Sequence, residues 1–221
     1  MKITYIGHAG FKIEDDVIAF FDPWLSAPTS KMKIDDINKC DFVFVSHDHG
    51  DHGLDEGIEI AKKTNATFVS IFELANVASE KGVKNTLGMN IGGTYKLGNT
   101  EIIMTRAFHS SSIGAPIGFI VKFASHTIYH PGDTGLFGDM KLLGDVYKPD
   151  IALLPIGSTF TMGPKEAAIA TKLLGVKHVI PMHYNTFPVI EKDPNEFMKY
   201  VEKESPNTKA HILNPGDTIE I

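Results

Sequence analysis

An unbroken apolar run, Phe42-Val43-Phe44-Val45, passes directly into Ser46-His47-Asp48-His49-Gly50-Asp51-His52. The β-branched and aromatic content of the run, bounded by Asp41 and Ser46, reads as a buried strand, so the polar heptapeptide sits on a loop at its end. The pattern returns in Asp150-Ile151-Ala152-Leu153-Leu154-Pro155, again an Asp-led apolar segment opening into a polar loop, and in His178-Val179-Ile180-Pro181-Met182, which ends at His183. Strands without polar alternation need cover on both faces, which calls for helices outside paired sheets.

Strand and helix signals alternate elsewhere. Segments 2–6, 11–13 and 17–21 read as strands, the last two joined by a turn at Asp15-Asp16, and 93–97, 101–106, 117–123 and 127–129 make a strand-rich middle. Leu54, Ile58 and Ala61 share one helical face. Ser70 and Glu73 have capping-box spacing ahead of a helix that Gly82 stops. Residues 164–174 form a helix with Pro164 in its first turn and Gly175 as its stop, and a further helix near 195–204 buries Phe197, Met198 and Val201. Strands at 211–213 and 218–221 close the chain. With 221 residues and 43% hydrophobic content, the expectation is one domain, 1–221, of α/β (α+β) class.

Formal net charge is -6 and Arg106 is the only arginine, which argues against a nucleic-acid backbone as partner. Cys40 stands alone, excluding an internal disulfide and thiolate clusters of the zinc-ribbon kind. No apolar run approaches the roughly 20 residues that span a bilayer, and the first residues do not form a signal peptide. A cytoplasmic location is expected, with a small-molecule substrate; a homo-oligomer is compatible with the sequence.

Three imidazoles and two carboxylates in seven residues suit a divalent transition metal. His47 and His49, two apart in an extended loop, fall on one side and grip one ion, while the adjacent Asp51 and His52 diverge toward a second. Each position needs further ligands. His109, Asp133 and His183 all follow apolar strands, as the cluster does.

The ordered set H-x-H-x-D-H, then His109, Asp133 and His183, resembles the metallo-β-lactamase superfamily, whose fold is a four-layer αββα sandwich. The stretches Tyr5-Ile6-Gly7-His8-Ala9-Gly10-Phe11, Asp22-Pro23-Trp24-Leu25, Tyr129-His130-Pro131-Gly132-Asp133-Thr134-Gly135, Thr161-Met162-Gly163-Pro164 and His183-Tyr184-Asn185-Thr186-Phe187-Pro188 narrow the likeness. They resemble its compact branch of metal-dependent hydrolases, similar to ascorbate-phosphate lactonase. The resemblance implies two divalent ions: His47, His49 and His109 on the first, Asp51, His52 and His183 on the second, and Asp133 between them. Zinc comes first, with manganese, nickel, iron or cobalt also suited to all-N/O donors. Two such ions share a hydroxide and stabilise charge on a carbonyl or phosphoryl oxygen, Asp51 orienting the nucleophile. Hydrolysis of a phosphodiester, a phosphate-bearing molecule or a lactone is the expected reaction. The competing classes are a mononuclear iron redox enzyme of persulfide-dioxygenase type and a non-catalytic metal-bound sensor.

His8 and His130 are further candidates, for substrate binding or protonation of the leaving group. Asp48 and Thr134, next to ligand positions, are candidates to orient them. The loop 157–163 ahead of Pro164 offers backbone N–H groups to an anionic substrate.

Overall fold

A computed structural model describes residues 1–221, in which the strands form two seven-stranded sheets. The first has the order β14-β1-β2-β3-β4-β5-β6, comprising β1 (Lys2–Gly7), β2 (Gly10–Glu14), β3 (Ile18–Phe21), β4 (Phe42–Phe44), β5 (Thr67–Ile71), β6 (Thr86–Met89) and β14 (Thr218–Glu220). The second has the order β13-β12-β11-β10-β9-β8-β7, comprising β7 (Thr94–Leu97), β8 (Thr100–Arg106), β9 (Ile117–Lys122), β10 (Thr127–His130), β11 (Ile151–Pro155), β12 (His178–Met182) and β13 (Lys209–Ala210). Helices α1 (Leu54–Thr64) and α2 (Phe72–Glu80) cover the first sheet, and α3 (Met140–Tyr147), α4 (Pro164–Leu174) and α5 (Pro194–Glu204) cover the second.

The apolar runs explain the layering. Phe42 and Phe44 enter the core between the sheets with Phe119 and Leu153, whereas Val43 and Val45 point the other way, against Ile58 and Ala61 of α1. Ile151 and Leu153 likewise face inward, and Ala152 and Leu154 face Ala167, Ala170 and Phe197 of the outer helices. Strands buried on both faces carry no polar alternation. The result is the αββα sandwich.

Strand direction decides where the polar loops meet. Because β2 is antiparallel to both β1 and β3, and β3 is parallel to β4, the first sheet sends β1, β3 and β4 toward one edge. The second sheet does the same with β8, β10 and β12. The residues that follow these six strands converge there.

Two local expectations change. Ser70 lies inside β5 and donates its hydroxyl to the Val45 carbonyl at 2.7 Å, so α2 begins after Ile71 with no side-chain cap and no capping box. The strand expected at 211–213 is instead β13 at Lys209–Ala210, although the His211 N–H still reaches the Val179 carbonyl at 2.9 Å. Helix α3 went unread because Gly144 interrupts its middle while Leu142 and Val146 are exposed, blurring its apolar stripe. No helix is long and apolar enough to cross a membrane.

Candidate metal centre

The heptapeptide after β4 turns tightly: residues Gly50–His52 form a single 3-10 turn, and Gly53 at φ +65° starts α1. A Cβ on Gly53 would lie 2.4 Å from the Pro23 carbonyl carbon, so only glycine lets this loop close against the one after β3. The turn brings His47 Nε2 to 3.0 Å from His49 Nδ1, and His109 Nε2, arriving from the end of β8, lies 3.3 Å from the same atom. Nitrogens around one tetrahedral zinc at about 2.05 Å stand about 3.3 Å apart. Three imidazoles therefore present their lone pairs to one point.

A second group adjoins it. His183 Nε2 lies 3.9 Å from Asp51 Oδ2, and His52 shares the same close grouping with Asp51 and His183. Asp133 Oδ2 stands between the two groups, 2.9 Å from His183 Nε2, 3.3 Å from His52 Nε2 and 3.6 Å from His109 Nε2. Gly132, at φ +62°, makes that reach possible: a Cβ there would meet the Ile117 carbonyl oxygen at 2.5 Å and the Ser46 side chain at 2.8 Å.

The donor set fits a cation. His52 Nε2 and Asp133 Oδ1 are buried without a hydrogen-bond partner, a costly state for polar atoms unless something else satisfies them. Asp22, Asp51 and Asp133 have only histidines as charge partners, with no lysine or arginine in contact. Burial opposes ionisation of Asp133, yet His52 and His183 hold its carboxyl well below the usual carboxylate range. Burial drives His47 down to about 2, so its ring is neutral and free to coordinate.

Asp22, at the end of β3, was not singled out as a site residue. Its carboxylate is 1% exposed; Oδ1 accepts the Ser46 N–H and Oδ2 accepts the Ser46 hydroxyl and His52 Nδ1–H, each at 2.7 Å. With its proton so committed, Ser46 Oγ accepts His47 Nδ1–H at 2.9 Å. One carboxylate thus fixes the tautomers of two histidines and leaves both Nε2 atoms facing the centre. The signal was present as a lone Asp ending the apolar strand Ile18–Phe21.

The other candidates separate. His8 has a fully buried side chain, with Nε2 3.0 Å from Asp51 Oδ2 and Nδ1 2.9 Å from Thr186 Oγ1. Burial is the main reason that its pKa falls to about 4. Its backbone is left-handed at φ +54°, as is His183 at +56°, and the His183 N–H donates to the His8 carbonyl at 2.7 Å. Paired strain of this kind is typical of functional loops. His130 is not brought to the cleft: it is fully buried, Nε2–H donates to the Ala9 carbonyl at 2.9 Å, Nδ1 accepts the Gly132 N–H at 3.2 Å, and its ring stacks on Phe21. Its geometry is that of a brace between the sheets, and of the two histidines it is His8 that contacts a residue lining the cleft, Asp51.

Asp48 and Thr134 do not touch the imidazoles either. Asp48 accepts the Ser111 hydroxyl and Ser112 N–H at 2.8 and 2.9 Å, and Thr134 Oγ1 accepts the Phe108 N–H at 2.9 Å, so together they pin the loop carrying His109. In the loop ahead of Pro164, Ser158 and Met162 donate their N–H groups to the Met162 and Thr134 carbonyls, each at 2.9 Å.

A cleft of about 300 Å³ opens over the centre, with His49, Asp51, His109, Asp133 and His183 as its floor and Ser110, Phe160 and Phe187 as its walls. Trp24 stands behind Phe187 at 5.9 Å between ring centroids. Tyr184 faces another depression, and Met162 lies in the core beneath α4.

Comparison with known proteins identifies the family. The family model described as Beta-lactamase superfamily domain matches residues 2–183. A UPF0173 metal-dependent hydrolase of Caldivirga maquilingensis is 52% identical, with 99% of this chain and 97% of the relative aligned. One from Korarchaeum cryptofilum is 43% identical over the whole of both chains. The solved structure of Igni18, described as a novel metallo hydrolase from the hyperthermophilic archaeon Ignicoccus hospitalis, superposes with a TM-score of 0.92 at 43% identity, covering 99% of this chain and 97% of that one. The isothiocyanate hydrolase from Delia radicum gut bacteria shares the fold at a TM-score of 0.80 and 17% identity, covering 100% of this chain and 99% of its own. With its ligand-rich edge and full-length relatives, this chain belongs to the UPF0173 metal-dependent hydrolases of the metallo-β-lactamase superfamily.

Proposed function

We propose that the chain hydrolyses a small molecule at a pair of divalent transition-metal ions, one held by His47, His49 and His109, the other by Asp51, His52 and His183, with Asp133 shared. The observation that carries this reading is the position of Asp133 Oδ2, within 2.9 to 3.6 Å of imidazole nitrogens from both groups. When bound, such a pair supplies an activated water and Lewis-acid stabilisation of a carbonyl or phosphoryl oxygen.

The chain's own residues hold that chemistry in place. Asp51 lines the cleft and is held from behind, so it orients the attacking water from a fixed direction. His8 acts on Asp51 rather than on substrate: the ionised Asp51 carboxylate can only accept, so the ring proton sits on Nε2 for donation to Asp51 Oδ2, and Nδ1 faces the Thr186 hydroxyl. This makes His8 a positioning residue. Asp22 and Ser46 keep His52 and His47 in the tautomers that coordinate through Nε2. A lactone or ester and a phosphodiester are both within reach of this machinery.

Elemental analysis of the native protein, joined to assays with lactones, aryl esters and bis-4-nitrophenyl phosphate, tests the reading. Two zinc, manganese, nickel or cobalt ions per chain with hydrolysis of one of these classes is the expected result. A single iron per chain with no hydrolysis would overturn it in favour of redox chemistry.

A further inference from the structure

We infer that the cleft takes an uncharged carboxylic ester or lactone bearing an apolar arm, and that Phe160 and Phe187 are its specificity-determining residues. The inference rests on the dinuclear hydrolase reading above and narrows its substrate.

The first support is what surrounds the floor. No lysine or arginine lines the cleft, so beyond the ions nothing there carries positive charge for a phosphate or carboxylate arm. Arg106, the only arginine, is turned away: its guanidinium carbon lies 4.5 Å from the centre of the Phe108 ring, over a separate depression with Met104 and Phe137. The loop that precedes α4 commits part of its backbone N–H groups internally, and a carboxylate stands at its end. Its Ser158, Thr161 and Met162 N–H groups bond to the Met162, Ser158 and Thr134 carbonyls, and Glu166 lies against Gly163 in the first turn of the helix.

The second support is what the walls are made of. Phe160 is 52% exposed, a large apolar ring left to water at the mouth, and Phe187 faces the same space with Trp24 packed behind it. The loop carrying Phe160 is tied to the turn after Phe187 by the Thr159 hydroxyl, which donates to the Val189 carbonyl at 3.1 Å. Aromatic walls over a polar, ion-binding floor match a substrate with a polar reacting group and an apolar remainder. The reaction is ordinary hydrolysis: the oxygen of water bonds to the acyl carbon, the acyl C–O bond breaks, and the departing oxygen takes the proton. A lactone yields the hydroxy acid and an ester yields acid and alcohol.

A homologous series of γ-lactones, from γ-butyrolactone to γ-decalactone, tests this because the scissile bond stays constant while the arm grows. With the metal-loaded protein, kcat/KM rises about threefold to fourfold per added methylene over the first carbons, as burial of each CH2 predicts. The slope flattens in Phe160→Ala and Phe187→Ala. Inert lactams of matching arm length, titrated by calorimetry, report binding independently of turnover. Tighter binding with a longer arm supports the inference even if turnover is absent, which would count against the hydrolase reading alone. Turnover with no dependence on arm length, or cleavage of bis-4-nitrophenyl phosphate with inhibition by phosphate tighter than by the longest lactam, would overturn the inference and leave the hydrolase reading intact.

Discussion

The two halves of the sandwich contribute to the candidate metal centre by different means. The first sheet delivers His47, His49, Asp51 and His52 on one continuous loop after β4, whereas the second delivers His109, Asp133 and His183 singly, from the ends of β8, β10 and β12. A local loop gathers ligands by turn geometry, with Gly53 permitting the close approach. Scattered ligands need the register of a whole sheet to bring them within 2.9 to 3.6 Å of one another. A dense motif therefore announces the chemistry, and the dispersed ligands complete it only when the sheets pack.

Asp133, shared by both groups, is where that contrast breaks most severely. Asp133→Asn should cut metal content below two ions per chain, lower affinity by more than the roughly 10–100-fold typical of outer partners, and bring hydrolysis to background; elemental analysis with assay checks this. Gly132→Ala attacks the same ligand through the backbone. Its left-handed φ and the 2.5 Å approach to the Ile117 carbonyl predict a loss of roughly 2–4 kcal/mol, read from urea midpoints. In the local half, Asp22→Asn should weaken metal binding by about 10–100-fold, because His52 and His47 lose the group that sets their tautomers. Competition with a chelator measures it, and unchanged affinity would show that the loop needs no outer support.

Stripping the metal exposes the histidines to linkage with pH. Burial lowers His8 to about 4 and His47 to about 2, and also lowers His109 and His130, whereas the unfolded chain binds these protons near about 6.5. Below about pH 6.5 the unfolded state then holds more protons and is favoured. His52 opposes the trend: burial lowers its pKa, but Asp133 and Asp22 raise it well above the usual value, so its contribution persists at low pH. The lowered histidines, with His178 and His211 among them, outnumber the single raised one, so the stripped protein loses stability as pH falls from about 6.5 toward 4, checked by urea midpoints across that range. The smallest effect is expected at the opposite end of the second sheet, where His178 Nδ1 and His211 Nε2 lie 3.0 Å apart. His211→Ala should leave kcat/KM and metal content unchanged; a loss would link that end to the centre.

Much of this molecule was legible in advance for identifiable reasons. Helix α4 was bounded to the residue because Pro164 and Gly175 act through backbone geometry, which is local. The capping box at Ser70 failed because the Val45 carbonyl, on a neighbouring strand, claimed the hydroxyl first. His8 and His130 looked equivalent, each a histidine beside glycine or proline near a strand end. They parted only when packing set Asp51 and Thr186 around one and Ala9 and Gly132 around the other.

By itself the sequence determined the layered α/β architecture and the presence of a ligand-rich edge, because periodicity, turn chemistry and donor type are properties of neighbouring residues. Only the tertiary structure decided that Asp133 stands between two imidazole groups, that Asp22 governs two tautomers and that aromatic rings wall the cleft. Those facts depend on distances between atoms far apart in the chain, and such distances exist only once two sheets have chosen their register and packed.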